Sequence, residues 1–195
     1  MKKFELTSEF ITNIFGTKLF RIKALIEFGN VKAGELGGFV EKEENLNHEG
    51  NAWVYGNAEV YGNARVYGNA SVYGDARVYG NAWVYGNARV CDDARVCDDA
   101  RVYGNASVYG NARVCGDARV YGNADYATVH GFGSEYRTTT FFKTKAGEIG
   151  VRCGCFYGNL SEFRKKVVET HGETKKAKEY LMLADLMEFR FSDNS

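Results

Sequence analysis

Asn51-Ala-Trp-Val-Tyr-Gly is followed at once by Asn57-Ala-Glu-Val-Tyr-Gly, and the same six-residue phrase continues to Gly122. It occurs twelve times without an insertion, as Asn/Asp, Ala, a variable residue, Val, Tyr/Cys and Gly/Asp. A fixed period indicates an architecture in which each repeat stacks on the next. The sequence therefore predicts a solenoid, whose surface presents columns of identical groups.

Alternation along an extended strand predicts which side chains face the interior. Successive side chains point to opposite faces, so Ala52 and Val54 should point inward and Trp53 and Tyr55 outward. The expected interior set is Ala at every sixth position from 52 to 124 and Val at every sixth position from 54 to 120. The Gly, Asn and Asp residues between the strands tolerate positive φ and mark the corners.

The phrase Val-Tyr-Gly-Asn-Ala-x resembles the hexapeptide repeat of left-handed parallel β-helices, where a small residue follows an aliphatic one by four positions. In that family three hexads make one triangular coil of eighteen residues. The resemblance covers residues 51–122 and departs where Tyr or Cys follows the aliphatic residue. It implies a mainly β fold, a left-handed parallel β-helix with three hexads per coil.

The segment before the repeat predicts an N-terminal β cap, since a solenoid needs its open ends covered. Residues 19–28 alternate as an amphipathic strand, and Val40 and Leu46 are typical of an irregular opening coil. We assign residues 1–50 to this cap and first coil, and residues 51–125 to the hexapeptide-repeat β-helix.

Residues 126–195 predict a C-terminal α+β cap. Residues 138–144 and 148–157 are two expected strands that form a hairpin. Two helices follow, one ending at Gly172 and one beginning near Thr174.

Composition limits the function classes and the setting. The 25 basic and 25 acidic residues cancel, so a general attraction to nucleic acid or a membrane is not expected. No signal peptide or membrane-spanning apolar run is evident, which predicts a cytoplasmic protein.

Of the five cysteines, Cys97 and Cys115 fall one coil apart in one column, where a disulfide bond is geometrically possible. A cytoplasmic redox state favours free thiols instead.

Coils of eighteen residues sort the outward side chains into three faces. The first face carries, beside a Tyr and Cys column, Trp53, Ser71, Arg89 and Ser107. The second face carries Glu59, Arg77, Arg95 and Arg113. The third face combines an unbroken Tyr column with a cationic and aromatic column: Arg65, Trp83, Arg101, Arg119, Tyr67, Tyr85, Tyr103 and Tyr121.

Three interpretations of these columns remain open. The Tyr rings can stack and cover the backbone, with the arginines paired to corner acids such as Asp75 and Asp99. The third face can be a subunit contact, because Tyr, Trp and Arg are enriched in interface hot spots. Like charges on neighbouring strands are destabilising, so the Arg column of the second face can also attract an anion.

The segment after the repeat contains a candidate anion site. Arg137, with Thr138, Thr139, Ser134 and His130, could hold an anion through charge-assisted hydrogen bonds. A threonine run is also ordinary strand material, and that alternative stays open.

A weaker candidate for a metal site is Cys153-Gly-Cys155 with His171. Cysteines two apart on a strand share a face, and thiolate with imidazole is a zinc ligand set. Small buried thiols are also common in protein cores. We therefore assign neither a metal nor a cofactor.

The layout also resembles YdcK-like hexapeptide-repeat proteins, many of them from bacterial genomes and prophages. The resemblance lies in residues 21–41, from Arg-Ile-Lys-Ala-Leu-Ile to Gly-Gly-Phe-Val-Glu, and in Asn47-His-Glu-Gly-Asn-Ala-Trp-Val. It implies the fold and a bacterial or phage setting, but no activity.

We expect a non-enzymatic, self-associating β-helical binding protein, as a trimer or dimer. If phage-encoded, it would sequester a host protein or a phosphate-bearing small molecule. One alternative is a hexapeptide-repeat acyltransferase with an acyl-coenzyme donor, but the repeat has no His or inserted loop, and His48 and His130 lie outside it. A filament-forming scaffold is a further alternative.

Overall fold

The computed structural model describes residues 1–133 and 135–192. Three strands open the chain: β1 (Phe4–Thr12), β2 (Lys18–Ala24) and β3 (Leu36–Val40). Twelve two-residue strands follow: β4 (Trp53–Val54), β5 (Glu59–Val60), β6 (Arg65–Val66), β7 (Ser71–Val72), β8 (Arg77–Val78), β9 (Trp83–Val84), β10 (Arg89–Val90), β11 (Arg95–Val96), β12 (Arg101–Val102), β13 (Ser107–Val108), β14 (Arg113–Val114) and β15 (Arg119–Val120).

These short strands stack in parallel into three sheets, one for each face. The orders are β4-β7-β10-β13, β6-β9-β12-β15 and β5-β8-β11-β14, the last extended by β3, β2 and β1. Each strand pairs with its equivalent one coil away, as Arg95 does with Arg113 and Val96 with Val114. The fold is therefore a mainly β solenoid of about 5 turns.

The predicted interior is confirmed over the repeat block. Every repeat Val from Val54 to Val120, and every repeat Ala from Ala52 to Ala118, has no exposed surface. Ala124 is the exception and is exposed, because residues Asn123–Asp125 form a 3-10 turn after the last coil. Tyr126 closes the core instead, and its hydroxyl donates to the Ser107 carbonyl at 2.8 Å.

The N-terminal cap covers the first coil with antiparallel strands. The strand predicted over residues 19–28 is present as β2 but ends at Ala24, and β1 was not predicted. Leu46 pairs with Val66, so the two residues are separated by two more positions than paired residues of the regular coils. The first coil is therefore irregular. Trp53, expected outward, is fully buried because Phe4 and Phe28 pack against it.

The C-terminal cap is a four-stranded antiparallel sheet with two helices rather than a hairpin with two helices. Its strands are β16 (Tyr126–Phe132), β17 (Arg137–Lys143), β18 (Ile149–Cys153) and β19 (Phe156–Asn159). The second predicted strand is divided because Gly154, at φ 58°, turns the chain between β18 and β19. The helices are α1 (Leu160–His171) and α2 (Lys175–Phe191), bounded by Gly172 and Thr174 as predicted.

The expectation of free thiols at Cys97 and Cys115 is wrong in this structure. The two residues form a disulfide, with their Cα atoms 4.6 Å apart. Stacked coils bring equivalent positions to this spacing, which lies within the range that a disulfide spans. The cysteines Cys91, Cys153 and Cys155 are free.

Neither helix among the described residues is long and apolar enough to cross a membrane.

We predict that Val84→Ala lowers the free energy of unfolding by about 2 kcal/mol, since two buried methyl groups are lost and a cavity remains. Arg89→Ala, at an exposed position on the next strand, is the control and should change stability by less than about 0.5 kcal/mol. Urea denaturation measures both. Equal effects would contradict the inward stacking of Val.

Candidate anion-binding site

The arginine column of the second face ends beside the C-terminal cap. Direct cross-strand pairing stacks Arg77, Arg95 and Arg113 on β8, β11 and β14. Arg77 lies 3.5 Å from Glu59, so its charge is partly compensated. Among the described residues, neither Arg95 nor Arg113 has an ion-pair partner within 4.0 Å. The uncompensated charge therefore lies at the end of the column next to the cap.

The cap is fixed to this end of the solenoid through the free edge of β14. The Arg113 backbone N–H donates to the Thr140 hydroxyl at 3.0 Å, and Thr140 is fully buried. Without a further coil, this N–H would otherwise have no partner. Side chains two residues apart on a strand share a face, so Thr138 is directed to the same side as Thr140.

Thr138 and its neighbours complete a cleft between the second face and the cap. His130, on β16, shares a hydrogen bond of 3.1 Å between its Nδ1 and the Thr138 Oγ1. The cleft has a volume of about 260 Å³. We call it the arginine cleft; its lining residues are Asp93, Arg95, Asn111, Arg113, His130, Arg137, Thr138 and Gly154.

The cleft is strongly cationic. Three arginines line it against one carboxylate, that of Asp93. Burial lowers the pKa of Arg113, and the nearby charges of Arg95, Arg152 and Arg137 lower it further. Both causes disfavour the charged form of Arg113, and the second is repulsion between like charges. An anion in the cleft would relieve that repulsion.

The donors present match a phosphate or another oxyanion. Each guanidinium offers several N–H groups in a planar fork, and the Thr138 hydroxyl and Asn111 amide add uncharged donors. Arg137 is half-exposed and lies 4.0 Å from Glu135, which is also exposed. Such an exposed pair is weak, so Arg137 can turn toward a ligand at little cost.

Three of the five predicted ligand-binding residues, His130, Arg137 and Thr138, are brought together. Thr139 is not, because alternation along β17 directs it to the helices, where it is buried and its hydroxyl donates to the Cys153 Sγ at 3.2 Å. Ser134 lies outside the described residues. Arg95 and Arg113 were absent from the predicted site, although their column on the second face was the available signal.

The predicted metal residues do not form a ligand cluster. Cys155 lies in the turn after β18, and so does not share a strand face with Cys153. His171 stacks on Tyr180 with ring centroids 5.8 Å apart. Within residues 1–133 and 135–192, the one group of potential ligand atoms within 4.8 Å is Cys97, Asp98 and Cys115, whose cysteines are already joined.

A known repeat family matches the solenoid part of the chain. The YdcK β-solenoid repeat matches residues 58–74, 70–86, 94–110 and 112–124. The chain carries the YdcK β-solenoid repeat. No curated protein sequence matches the chain. The arginine cleft therefore lies where the last coils of a YdcK repeat block meet the C-terminal cap.

The third face of the YdcK block is an aromatic ladder, as the stacking interpretation predicts. Tyr67, Tyr85 and Tyr103 lie nearly parallel, with centroids 4.8 and 5.1 Å apart. The Arg101 guanidinium lies 4.7 Å from the centre of the Trp83 ring. The predicted subunit contact on this face stays a prediction.

Within residues 1–133 and 135–192, no arginine of the YdcK block forms the ion pair with a corner acid that this interpretation supposed. Asp75 and Asp99 accept hydrogen bonds from Asn57 and Asn81 in the coil before. Arg119 instead donates to backbone carbonyls, among them that of Asp99 at 3.0 Å. Corner side chains thus bond to one another along the solenoid axis.

We predict that Thr140→Val weakens docking of the cap, because the buried Arg113 N–H loses its acceptor. The free energy of unfolding should fall by about 1–3 kcal/mol, measured by urea denaturation. Thr128→Val is the matched control, since Thr128 is the cross-strand partner of Thr140 and is exposed. A loss at position 128 as large as that at 140 would contradict this role.

Proposed function

We propose that the protein is a non-enzymatic binding protein that holds a small phosphate-bearing anion in the arginine cleft. The solenoid that carries the cleft is taken as left-handed, as the resemblance of its hexads implies. The observation that carries the proposal is the convergence of Arg95, Arg113 and Arg137 on one partly buried cleft with a single acid.

The stability of the fold does not explain why these three arginines lie together. Stacked like charges destabilise neighbouring strands, and the column gains a compensating carboxylate at its other end, where Glu59 pairs with Arg77. At the cap end the sequence instead adds a third guanidinium, that of Arg137. Uncompensated positive charge beside hydroxyl and amide donors is what an oxyanion requires.

Two of the three histidines lie outside the arginine cleft and supply no base for acyl transfer there. A general base must reach the hydroxyl or amine that it activates. His48 is part of the N-terminal cap, where its Nδ1 accepts from the Lys3 backbone N–H at 3.1 Å and its ring stacks on Phe4. His171 stacks on Tyr180. His130 lies in the arginine cleft, where its ring shares a hydrogen bond with Thr138. We propose that it is a further hydrogen-bond donor to the anion.

We predict that inorganic phosphate binds at low ionic strength and that Arg113→Gln weakens it at least about tenfold. The reason is the loss of one charge-assisted hydrogen bond, worth about 1.5–3 kcal/mol. Isothermal titration calorimetry measures the affinity. Arg89→Gln is the matched control, because Arg89 is an exposed arginine of the first face and should leave the affinity unchanged.

Two results would contradict the proposal: the absence of phosphate binding, or equal losses in Arg113→Gln and Arg89→Gln. Without phosphate, Arg113→Gln should retain its stability, because the substitution removes a repulsion and keeps the backbone N–H that Thr140 accepts. This measurement separates lost binding from lost folding.

A second candidate function is self-association through the third face. The observation that favours it is the ladder of near-parallel Tyr67, Tyr85 and Tyr103 rings, which lies beside a column that contains Trp83 and Arg101. The ladder ends in Tyr121, which is 61% exposed and turned by 67° from Tyr103. Rigid aromatic rings and arginines dominate the energetics of many subunit interfaces. A dimer or trimer would place the arginine clefts of its subunits around one solenoid bundle.

We predict that the double variant Arg101→Glu with Tyr103→Ala lowers the molar mass measured by light scattering, because it removes the guanidinium that lies over Trp83 and one ring of the Tyr ladder from the contact. Arg89→Glu with Tyr73→Ala makes the same change on the first face and should leave the mass unaltered. An identical mass in the parent protein and both variants would exclude the third face as the contact.

A further inference from the structure

A second cleft lies on the helix side of the C-terminal cap. We call it the helix cleft; it has a volume of about 310 Å³ and lies between α1, the start of α2 and the turn after β18. Its lining is largely apolar and aromatic, with Phe156, Phe163, Val167 and Tyr180. Phe163 packs edge-on against Tyr180 at 5.7 Å, and Phe156 lies 5.6 Å from Phe163. The walls are thus held by ring contacts.

The interior polar groups of the helix cleft are already satisfied. The Tyr180 hydroxyl donates to the Phe132 carbonyl at 3.3 Å, and the Cys153 thiol accepts from Thr139. Burial, together with the neighbouring Cys153, raises the pKa of Tyr180 to about 12, so the phenol stays neutral. Lys166, Thr170 and His171 supply the more polar rim. The cleft therefore suits an uncharged apolar group.

Arg137 joins the two clefts. It lines both of them, whereas the other residues of the two linings differ. Its guanidinium lies over the turn that separates them, since a Cβ at Gly154 would be 2.5 Å from the Arg137 Nη1. A group bound to this guanidinium from the arginine cleft is therefore at the entrance of the helix cleft.

The volumes of the two clefts favour a single ligand that occupies both. Sites for small organic ligands are usually about 300–1,000 Å³, mostly apolar and with a few placed polar groups. The arginine cleft, at about 260 Å³, lies below that range and is lined by no hydrophobic side chain among the described residues, and the helix cleft only reaches its lower limit. Together they have the expected size and both kinds of lining.

We propose that one organic phosphate ester occupies both clefts, with its phosphate on Arg95, Arg113 and Arg137 and a compact apolar ring in the helix cleft. This inference rests on the proposed function and names the class of its ligand. Arg137 would be the residue that ties the two parts together, and the ring would stack among Phe163, His171 and Tyr180.

The test compares two phosphate monoesters of equal charge by calorimetry, methyl phosphate and 2-phenylethyl phosphate. Burial of a phenyl ring should make the second ester bind at least about tenfold tighter. Thr170→Trp, an exposed rim position, should fill the helix cleft and abolish this ratio while the affinity for methyl phosphate is kept. Val168→Trp is the control, because Val168 is exposed on α1 outside the lining, and the ratio should persist.

The outcomes separate this inference from the proposed function. Equal affinities for the two esters, both lost in Arg113→Gln, would overturn the shared ligand and leave the arginine cleft as an anion site. A tenfold ratio that survives Thr170→Trp would also overturn it. Failure of both esters to bind would contradict the proposed function and this inference with it.

Discussion

The parallel stacking of identical hexads, with Val and Ala enclosed between the sheets, is the constraint on which the structure depends. Because each coil repeats the one below it, every outward side chain lies above its own equivalent. This arrangement suits some residue types. Tyr67 and Tyr85 stack at 4.8 Å, and the corner amides of Asn51, Asn69 and Asn87 bond in a chain with steps of 3.1 Å. Interior packing and outward ladders therefore stabilise the same register.

The same register is unfavourable for arginine, and this identifies the candidate site. Arg95 and Arg113 are held one above the other by backbone pairing, so their side chains start from adjacent positions on one face. The cap then adds Arg137 and His130 through β16 and β17, and Thr140 fixes their position by accepting from the last coil. The candidate site thus needs two parts of the chain. The solenoid supplies stacked cations, and the cap supplies a wall, further donors and the neighbouring apolar cleft.

The repeat block could be predicted almost completely from sequence, whereas the caps could be predicted only in part. The inward orientation of Val54 and its equivalents could be predicted because a short period is a local signal that each coil repeats. Trp53 and Ala124 were misassigned because their surroundings depend on the caps, which lie across Trp53 and replace the coil after Ala124. The Cys97–Cys115 bond was misjudged because the assumed compartment was given more weight than the coil spacing. For the site, Arg137, Thr138 and His130 were found locally, but their approach to Arg113 depends on how β17 docks on β14.

The most direct test of the account is an NMR titration of the arginine side-chain N–H signals with inorganic phosphate. If the three arginines form one site, the signals of Arg95, Arg113 and Arg137 shift together with one midpoint, while those of Arg65 and Arg89, on the other two faces, remain in place. Shifts of similar size at all arginines, or no shift at Arg113, would contradict the claim that stacked coils and the cap build one anion site.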